Sequence, residues 1–453
     1  MRRLLVVMAC LAGCGRFGFG TSADDVGGDD ARDAAPDGFV PTGPVGPRWV
    51  VAFTNDNSSS VVGRNGEVQI LSRFVTTFQV DQGVSLTGNG FISTAFLRFD
   101  AAGALTSSTV LDSDGFCDMR SAVLDGDATY LAGFTQGVTS MPAYGACSIV
   151  TNRQDPIAIK IDQQGNQSLV AHWIAAGGNA QGWNVEVMPD HTLTIDGIYS
   201  VSLQIGPYTM PTGITDPSVF VARTTSDVNT ATWAKGFTAG VAIYPGPIAS
   251  SGDDICIIGS HAGNVSVFGR ALPYVGGEDS WIARVDGGGT ERFVRAIGST
   301  GNEASYGGGA IIHALSDGGC LASIVAQGDV ALDTGMSLLA DGAGLVVQLA
   351  ADGKVTWARR FPSQPYLANV NGRWIAAYTT TNDVAVVEID VQGGADVPLG
   401  VIEGAGVQDA VDIAAVGPDA VAVTVNTRGV LTFGATSFDS GATTLRAVAV
   451  LGI

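Results

Sequence analysis

The chain has 453 residues, 62 of them glycine, and a formal net charge of −20. Only 15% of its residues are charged, against about 25% in ordinary domains, and no long stretch shows the hydrophobic period of an amphipathic helix. The acidic balance argues against nucleic-acid binding, because neutralising phosphates requires clustered lysine and arginine.

The N-terminus has the pattern of a bacterial export signal. Two arginines precede an apolar run at residues 4–11, which is too short to span a bilayer. The sequence LAGC at residues 11–14 resembles the lipobox of bacterial lipoproteins, in which the cysteine becomes the lipidated first residue. The resemblance implies a signal peptide at 1–13, a lipid on Cys14 as the one membrane attachment and, with Gly15 following, sorting to the outer membrane. A plain secretory signal is the alternative.

Residues 14–47 form the second predicted segment. They are rich in Asp, Gly, Ala and Pro and poor in large apolar side chains. Such a composition cannot bury enough apolar surface to fold, and its like charges extend the chain. We expect a disordered acidic tether between Cys14 and a folded domain at 48–453.

The domain at 48–453 is predicted to be all-β and repetitive. Short runs of Val, Ile, Thr and aromatic residues are broken by Gly, Asp and Asn. A strand with one polar or basic position recurs at steps of 62, 63, 61, 64 and 40 residues, at Arg98, Lys160, Arg223, Arg284, Gln348 and Glu388. An aspartate and then a turn glycine follow most copies, at Asp100, Asp162, Asp286 and Asp390 and at Gly103, Gly165, Gly289 and Gly393. These charges are either a ring of sites or the paired polar faces of neighbouring repeats.

The two ends of the domain complement each other. The strand at residues 447–453 lacks the aromatic strand that follows other copies, and the segment Trp49 to Phe53 has the W-x-x-x-F spacing of that strand. About 62 residues leave room for four short strands per repeat, and such repetition predicts a propeller or solenoid. We expect a β-propeller of seven four-stranded blades, closed by pairing of the N-terminal strand with the C-terminal blade. Six or eight blades are the alternatives.

The order of motifs resembles the SBBP-type β-propeller repeat of bacterial secreted proteins. The resemblance rests on a strand ending in D-x-x-G, then an aromatic strand, a Gly-rich loop and G-x-V-x-x-G, as at residues 263–269. It covers most of 48–453, and the modules near Asn55 and Leu367 depart from it. It implies a propeller at the cell surface with a binding or scaffold role, and no catalytic residues. We expect a monomer.

Aromatic residues recur in the loops of one predicted face. We expect this face to bind a carbohydrate or peptide, since aromatic rings with polar rims suit such ligands and binding residues favour loops on rigid scaffolds. The alternative is that each ring wedges between adjacent blades. The candidates are Trp183, Tyr244, Tyr306 and Tyr366 after the fourth strands, and Tyr208 and Tyr274 in the loops between second and third strands.

One segment resembles part of a calcium-binding loop. Asp112, Asp114 and Asp118 surround Gly115, but the position of the first ligand is Val110. The segment is therefore either a calcium site or an ordinary Asp-Gly turn. We expect no other cofactor.

The remaining cysteines of this exported chain divide into two pairs. Cys117 and Cys147 lie in loop contexts of one module, which favours a disulfide. Cys256 and Cys320 lie in apolar strands of consecutive modules. We expect buried free thiols there, because their strands belong to different blades.

Two functions remain open beside a third possibility, a purely structural protein of the cell envelope. The first is a lipid-anchored, non-catalytic module that binds or scaffolds a carbohydrate, peptide or protein partner. The second is a hydrolase or lyase acting on extracellular polymer, which would require Asp, Glu, His, Tyr or Arg side chains to converge on one pocket. The four histidines show no metal-binding spacing, and no common catalytic motif is present.

Overall fold

The computed structural model describes residues 47–453 apart from 89–90, 114, 141–148, 214–216, 226–229, 239–240, 302, 304–310, 333–336, 434–435 and 442–443. Every helix or strand assigned within these residues is a β-strand, which confirms the all-β class. No helix able to cross a membrane occurs in this described part. The predicted signal peptide and almost all of the predicted tether lie outside it.

The strands are numbered in chain order. The first are β1 (Pro47–Arg64), β2 (Glu67–Val80), β3 (Val84–Thr87), β4 (Ser93–Phe99), β5 (Leu105–Ser113), β6 (Phe116–Asp125), β7 (Ala128–Ser140), β8 (Ile149–Ile161), β9 (Gln167–His172) and β10 (Ile174–Ala175). Next come β11 (Ala180–Val187), β12 (Leu193–Tyr199), β13 (Leu203–Ile205), β14 (Tyr208–Thr209), β15 (Ser218–Thr224), β16 (Ala231–Phe237), β17 (Ile243–Ser251), β18 (Asp254–His261), β19 (Val265–Val267), β20 (Arg270–Leu272), β21 (Asp279–Val285) and β22 (Glu291–Ile297). The last are β23 (Ile311–Ala314), β24 (Cys320–Ala331), β25 (Ser337–Leu349), β26 (Val355–Phe361), β27 (Tyr366–Val370), β28 (Arg373–Thr379), β29 (Val384–Ile389), β30 (Val397–Gly417), β31 (Ala420–Phe433), β32 (Thr436–Asp439) and β33 (Leu445–Gly452).

Three four-stranded antiparallel sheets occupy the middle of the chain. Their strand orders are β11-β12-β15-β16, β17-β18-β21-β22 and β23-β24-β25-β26. Two small ribbons contain the connections between second and third strands of the first two sheets: β13 and β14, which pair with β10 from before β11, and β19-β20. Each sheet follows chain order, as the predicted repeat requires.

The rest of the strands join one extended pairing path of antiparallel strands. Two long strands change partners along their length: β1 pairs with β33 and then with β2, and β30 pairs with β29 and then with β31. The first strand therefore pairs with the last, with Trp49 opposite Val450 and Phe53 opposite Arg446. A two-residue hairpin turn at Asn371-Gly372 joins β27 and β28, with both residues at positive φ, as an Asn-Gly pair favours.

The repeated aspartate belongs to the turn of its own repeat. Oδ1 of Asp286 accepts the backbone N–H groups of Gly288 and Thr290 at 3.0 and 2.8 Å. Gly289, at φ 75°, completes this turn in the left-handed region that favours glycine. Asp100 caps the equivalent turn in the same way, with bonds of 2.9 Å to Ala102 and Ala104.

The repeated basic residue reaches the turn of the next repeat. Nη1 of Arg223 donates to the carbonyl of Gly287 at 2.9 Å, and Nε1 of Trp233 donates to the same carbonyl at 2.9 Å. The Trp233 indole covers Gly289, where a Cβ atom would lie 2.7 Å from the ring. These contacts favour the interpretation of the repeated charges as paired faces between repeats.

The core lies between the faces of successive sheets. One cluster, for example, combines Ile258 and Ile282 of one sheet with Ile324 and Leu345 of the next. A sheet has two apolar faces here, and each is covered only by a neighbouring repeat.

The disulfide pattern differs from the expected one. Cys256 in β18 and Cys320 in β24 form a disulfide, with Cα atoms 6.1 Å apart and a separation of 64 residues. The expectation of two free thiols was wrong, because equivalent positions of two packed sheets face each other. Cys117 is fully buried, and its expected partner Cys147 lies outside the described residues, so the disulfide between them stays a prediction.

Replacing both bridged cysteines, as in Cys256→Ala/Cys320→Ala, should lower the free energy of unfolding. A 64-residue loop corresponds to about 4 kcal/mol in the chain-entropy estimate. Urea denaturation of the oxidised protein measures the loss, with Cys117→Ala as the control for removing a buried thiol outside the bridge. Equal losses in the two variants would contradict a stabilising disulfide.

Candidate functional site

Two predicted aromatic residues meet between neighbouring sheets. The half-buried rings of Trp183 in β11 and Tyr244 in β17 stack with centroids 6.3 Å apart and planes at 19°. The guanidinium of Arg120, from the preceding repeat, lies over the Trp183 ring at 4.8 Å. The indole is thus contacted by both neighbouring repeats, as expected if the rings wedge between blades. A binding role for these rings remains a prediction.

The other predicted aromatic residues make separate contacts. Tyr208 donates its hydroxyl to the carbonyl of Thr232 at 2.6 Å, and Tyr274 donates to that of Gly277 at 2.9 Å. Tyr366 packs against the core cluster of the C-terminal strands. Tyr306 lies outside the described residues.

The calcium candidates are engaged by protein groups. The buried carboxylate of Asp118 accepts hydrogen bonds from Arg73 at 3.1 Å and from Arg120 at 3.3 Å. Asp112 accepts the Ser93 hydroxyl at 2.7 Å, and Asp114 is not among the described residues. No group of three potential metal ligands occurs in the described part of the chain.

A cavity of about 400 Å³ opens beside the third strand of the sheet β17-β18-β21-β22. The end of β18, the start of β21 and the end of β22 lie side by side at the same end of this antiparallel sheet. Two residues of β24, in the next repeat, complete the wall. The lining residues are Pro273, Val275, Asp279, Ala296, Gly298, Ser299, Thr300, Asp329 and Ala331.

Two carboxyl groups meet at this cavity. Asp279 is fully buried, and its Oδ2 accepts the backbone N–H of Val275 at 2.7 Å. Glu303, also fully buried, accepts the N–H of Ser299 at 2.6 Å and lies within hydrogen-bonding contact of Asp279. Burial raises the pKa of Asp279, and burial together with the nearby Asp279 charge raises the pKa of Glu303 to about 7. The Glu303 carboxyl is therefore partly protonated near neutral pH.

A histidine stands directly opposite this pair. His261 is the cross-strand partner of Asp279, so the two side chains share a face of the sheet. Nδ1 of His261 donates to the carbonyl of Gly263 at 2.6 Å, while the buried Nε2 has no hydrogen-bond partner among the described residues. The ring of Tyr274 lies 6.4 Å from the imidazole.

One oxygen of Asp279 is buried without a hydrogen-bond donor. Its Oδ1 is enclosed by protein, and no N–H donor of the described residues reaches it. A Cβ atom on Gly298 would lie 2.5 Å from this oxygen, so the glycine allows the backbone to pack closely against the carboxylate.

Sequence reasoning missed this cluster. Asp279, Glu303 and His261 are too far apart in the chain to form a motif. The available signal was the pairing of β18 with β21, which places His261 opposite Asp279 once the register is known.

Further buried carboxyls lie between repeats. Glu186 of β11 accepts the N–H and hydroxyl of Ser250 in β17 at 3.2 and 2.7 Å. Burial raises the pKa of Glu186 to about 7, against the opposing effect of these hydrogen bonds. Asp196 accepts the Asn184 amide at 2.8 Å, and burial raises its pKa well above the usual value.

Stability should fall as pH rises through neutrality. The pKa of Glu186 is about 7 in the folded state, against an ordinary value of 4.5. Between these pH values the native state holds a proton that the unfolded state has released, so the free energy of unfolding decreases as pH rises. Glu186→Gln should therefore reduce the loss between about pH 5 and about pH 8 by on the order of 2–3 kcal/mol. Urea denaturation at both pH values measures it. The same pH dependence in wild type and variant would contradict the assignment.

Comparisons with known proteins assign no family to the chain. The sequence matches no protein-family model and no curated protein. Similar solved structures include a protein of unknown function from Dyadobacter fermentans, with 12% identity over 91% of this chain and 99% of that one, at a TM-score of 0.44. The β-propeller domain of the Trilobed protease from Pyrococcus furiosus is 8% identical over 84% and 94%, at 0.45. The polysaccharide lyase Uly1 is 10% identical over 87% and 90%, also at 0.45. Likenesses of this degree assign no activity to the chain.

Proposed function

We propose that the chain is an exported, lipid-anchored β-propeller of the outer membrane that binds a carbohydrate, peptide or protein partner on its loop face without catalysis. Residues 1–13 are its signal peptide, Cys14 carries the lipid, and residues 14–47 are the tether. The propeller is built from SBBP-type repeats and has seven blades. The ring closes through β1 and β33.

Strand pairing supports the ring of seven. Besides the three separate sheets, the long pairing path contains four more sets of four neighbouring strands. The long strands β1 and β30 each belong to two of these sets, one with each part of their length. First strands of successive sets contact one another in the order β30, β1, β6, β11, β17 and β23, and β27 contacts β30. Such contacts are those of inner strands around a central axis.

The binding role rests on the cavity beside the sheet β17-β18-β21-β22. The cavity combines polar groups of Ser299, Thr300 and Asp329 with apolar walls from Pro273, Val275 and Ala331. A few convergent polar groups in an apolar concavity are typical of ligand sites.

A second candidate function is supported by the same cluster. Asp279 lines the cavity and contacts Glu303, and His261 lies opposite Asp279 in the sheet. A hydrolase or lyase acting on extracellular polymer would use such carboxyl groups, since a pair with raised pKa values is able to supply a general acid and a general base.

Oligosaccharide and peptide arrays test the binding role. Wild type should bind at least one ligand, and Gly298→Ala should weaken that binding about tenfold or more, because the added Cβ collides with Asp279 and displaces this part of the cavity wall. Gly288→Ala is the control, since a Cβ there meets its nearest atom only at 3.4 Å. No ligand on any array, or equal binding by Gly298→Ala, would contradict the proposal. Release of cleaved product would favour the enzyme.

Lipidation is tested by metabolic labelling with a fatty acid. Cys14→Ser should abolish the label and release the protein from the membrane fraction, because the thiol is the acceptor of the lipid. Cys10→Ser should keep the label. Labelling that survives Cys14→Ser would contradict the anchor.

A further inference from the structure

The buried carboxyl groups of Asp279 and Glu303 each hold one wall of the cavity. Oδ2 of Asp279 accepts the backbone N–H of Val275 at 2.7 Å, and Val275 lines the cavity from the connection before β21. Glu303 accepts the backbone N–H of Ser299 at 2.6 Å, and Ser299 lines the cavity from the connection after β22. The contact between the two carboxyl groups therefore joins the two walls.

The wall held by Glu303 also reaches the next repeat. The hydroxyl of Ser299 donates to the carbonyl of Gln327 at 2.6 Å, and the N–H of Gly301 donates to the same hydroxyl oxygen at 2.9 Å. Gln327 belongs to β24, the strand that completes the cavity. A change in the position of Glu303 would thus be transmitted to the interface between two repeats.

A hydrogen bond between two carboxyl groups requires a proton on one of them, because two carboxylates offer only acceptors. Both side chains are fully buried, and neither forms an ion pair with a lysine or arginine of the described residues. Burial opposes a charge on Asp279, but the N–H groups of Val275 and Gly276 and the nearby His261 favour it. The proton is therefore assigned to Glu303.

We propose that Asp279 and Glu303 form a proton-dependent clasp, which keeps the two cavity walls together while Glu303 is protonated and allows them to separate when the proton is lost. The O–H of Glu303 donates to Oδ1 of Asp279, the oxygen that receives no N–H donor. Loss of the proton leaves two adjacent carboxylates in a buried place, so repulsion and the cost of burying a second charge favour separation. The clasp is a property of the cavity itself, with or without a ligand.

The direction of the pH dependence follows from Glu303. Burial and the charge of Asp279 raise the pKa of Glu303 to about 7, against an ordinary value of 4.5. Between these pH values the closed clasp holds a proton that an exposed glutamate has released. Opening therefore becomes easier as pH rises from about 4.5 to about 7, with little further change above this range.

Other ionisable groups surround the pair. They are His261 of β18, which donates to the carbonyl of Gly263, Tyr274, which donates to that of Gly277, Glu278, which accepts the Ser260 hydroxyl, and Asp329 on the cavity wall. Because these groups also affect the cavity, the contribution of Glu303 has to be isolated with a variant of that residue.

Hydrogen exchange on the full chain tests the clasp without a ligand, so its result is independent of the proposed binding function. The amides of Val275, Ser299 and Gly301 donate to groups that the clasp holds in place. Their protection, corrected for the intrinsic effect of pH on amide exchange, should fall about tenfold or more between about pH 5 and about pH 8. Equal protection at the two pH values would overturn the proposal.

Two variants assign the effect. Glu303→Gln, whose amide group donates to Asp279 at any pH, should keep the three amides protected at about pH 8. Glu186→Gln is the matched control, since it removes another buried carboxyl group whose pKa is raised to about 7, and it should show the wild-type fall at these amides. A fall in Glu303→Gln as large as in wild type would overturn the proposal.

Asp279→Asn tests the same contact if Glu303→Gln does not fold. The amide of the new side chain donates to a charged Glu303 and removes the repulsion between two carboxylates. The fall in protection should therefore be smaller than in wild type. An unchanged fall would show that contact between these two carboxyl groups does not control the cavity walls.

Discussion

Packing of each four-stranded sheet against the equivalent sheet one repeat away is the constraint on which the rest of the structure depends. Both faces of such a sheet are apolar, so no repeat buries its own core. The polar contacts follow the same step: Arg223 reaches Gly287, Glu186 holds Ser250, and Cys256 bridges to Cys320. Stability therefore resides in the contacts between repeats as much as within them.

The candidate site is a product of this packing. Asp279 and His261 come from one sheet, where they oppose each other, and Asp329 comes from the next. The end of the sheet positions Asp279, and the absent side chain of Gly298 allows the backbone to pack against this carboxylate. The same interface that stabilises the fold thus creates a polar pocket in otherwise apolar surroundings.

Much of the fold could be predicted because its signals are local and repeated. The turn at Asn371-Gly372 and the D-x-x-G turns are each recognisable from a few consecutive residues. The spacing of Trp49 and Phe53 indicated that the first strand pairs with the last. The disulfide could not be predicted, since it depends on which strand faces meet across two sheets.

The contact between the carboxyl groups of Asp279 and Glu303 could not be predicted from the sequence either. Nothing local distinguishes Asp279 and Glu303 from surface acids, because their burial and their contact arise only after the loops fold. The aromatic series was visible, but the contacts of Trp183 with two neighbouring repeats depend on the packing of three sheets.

The pairing of β1 with β33 is the part of the structure that tests the proposed closed ring most directly. Hydrogen exchange measured by mass spectrometry reports on the amides of residues 49–53 and 446–450, which pair with each other. A closed ring predicts protection as strong as that of the buried strands β12 and β18, because opening the contact exposes two sheet faces. Rapid exchange of both segments, with β12 and β18 still protected, would show that the pairing of β1 with β33 does not close the ring.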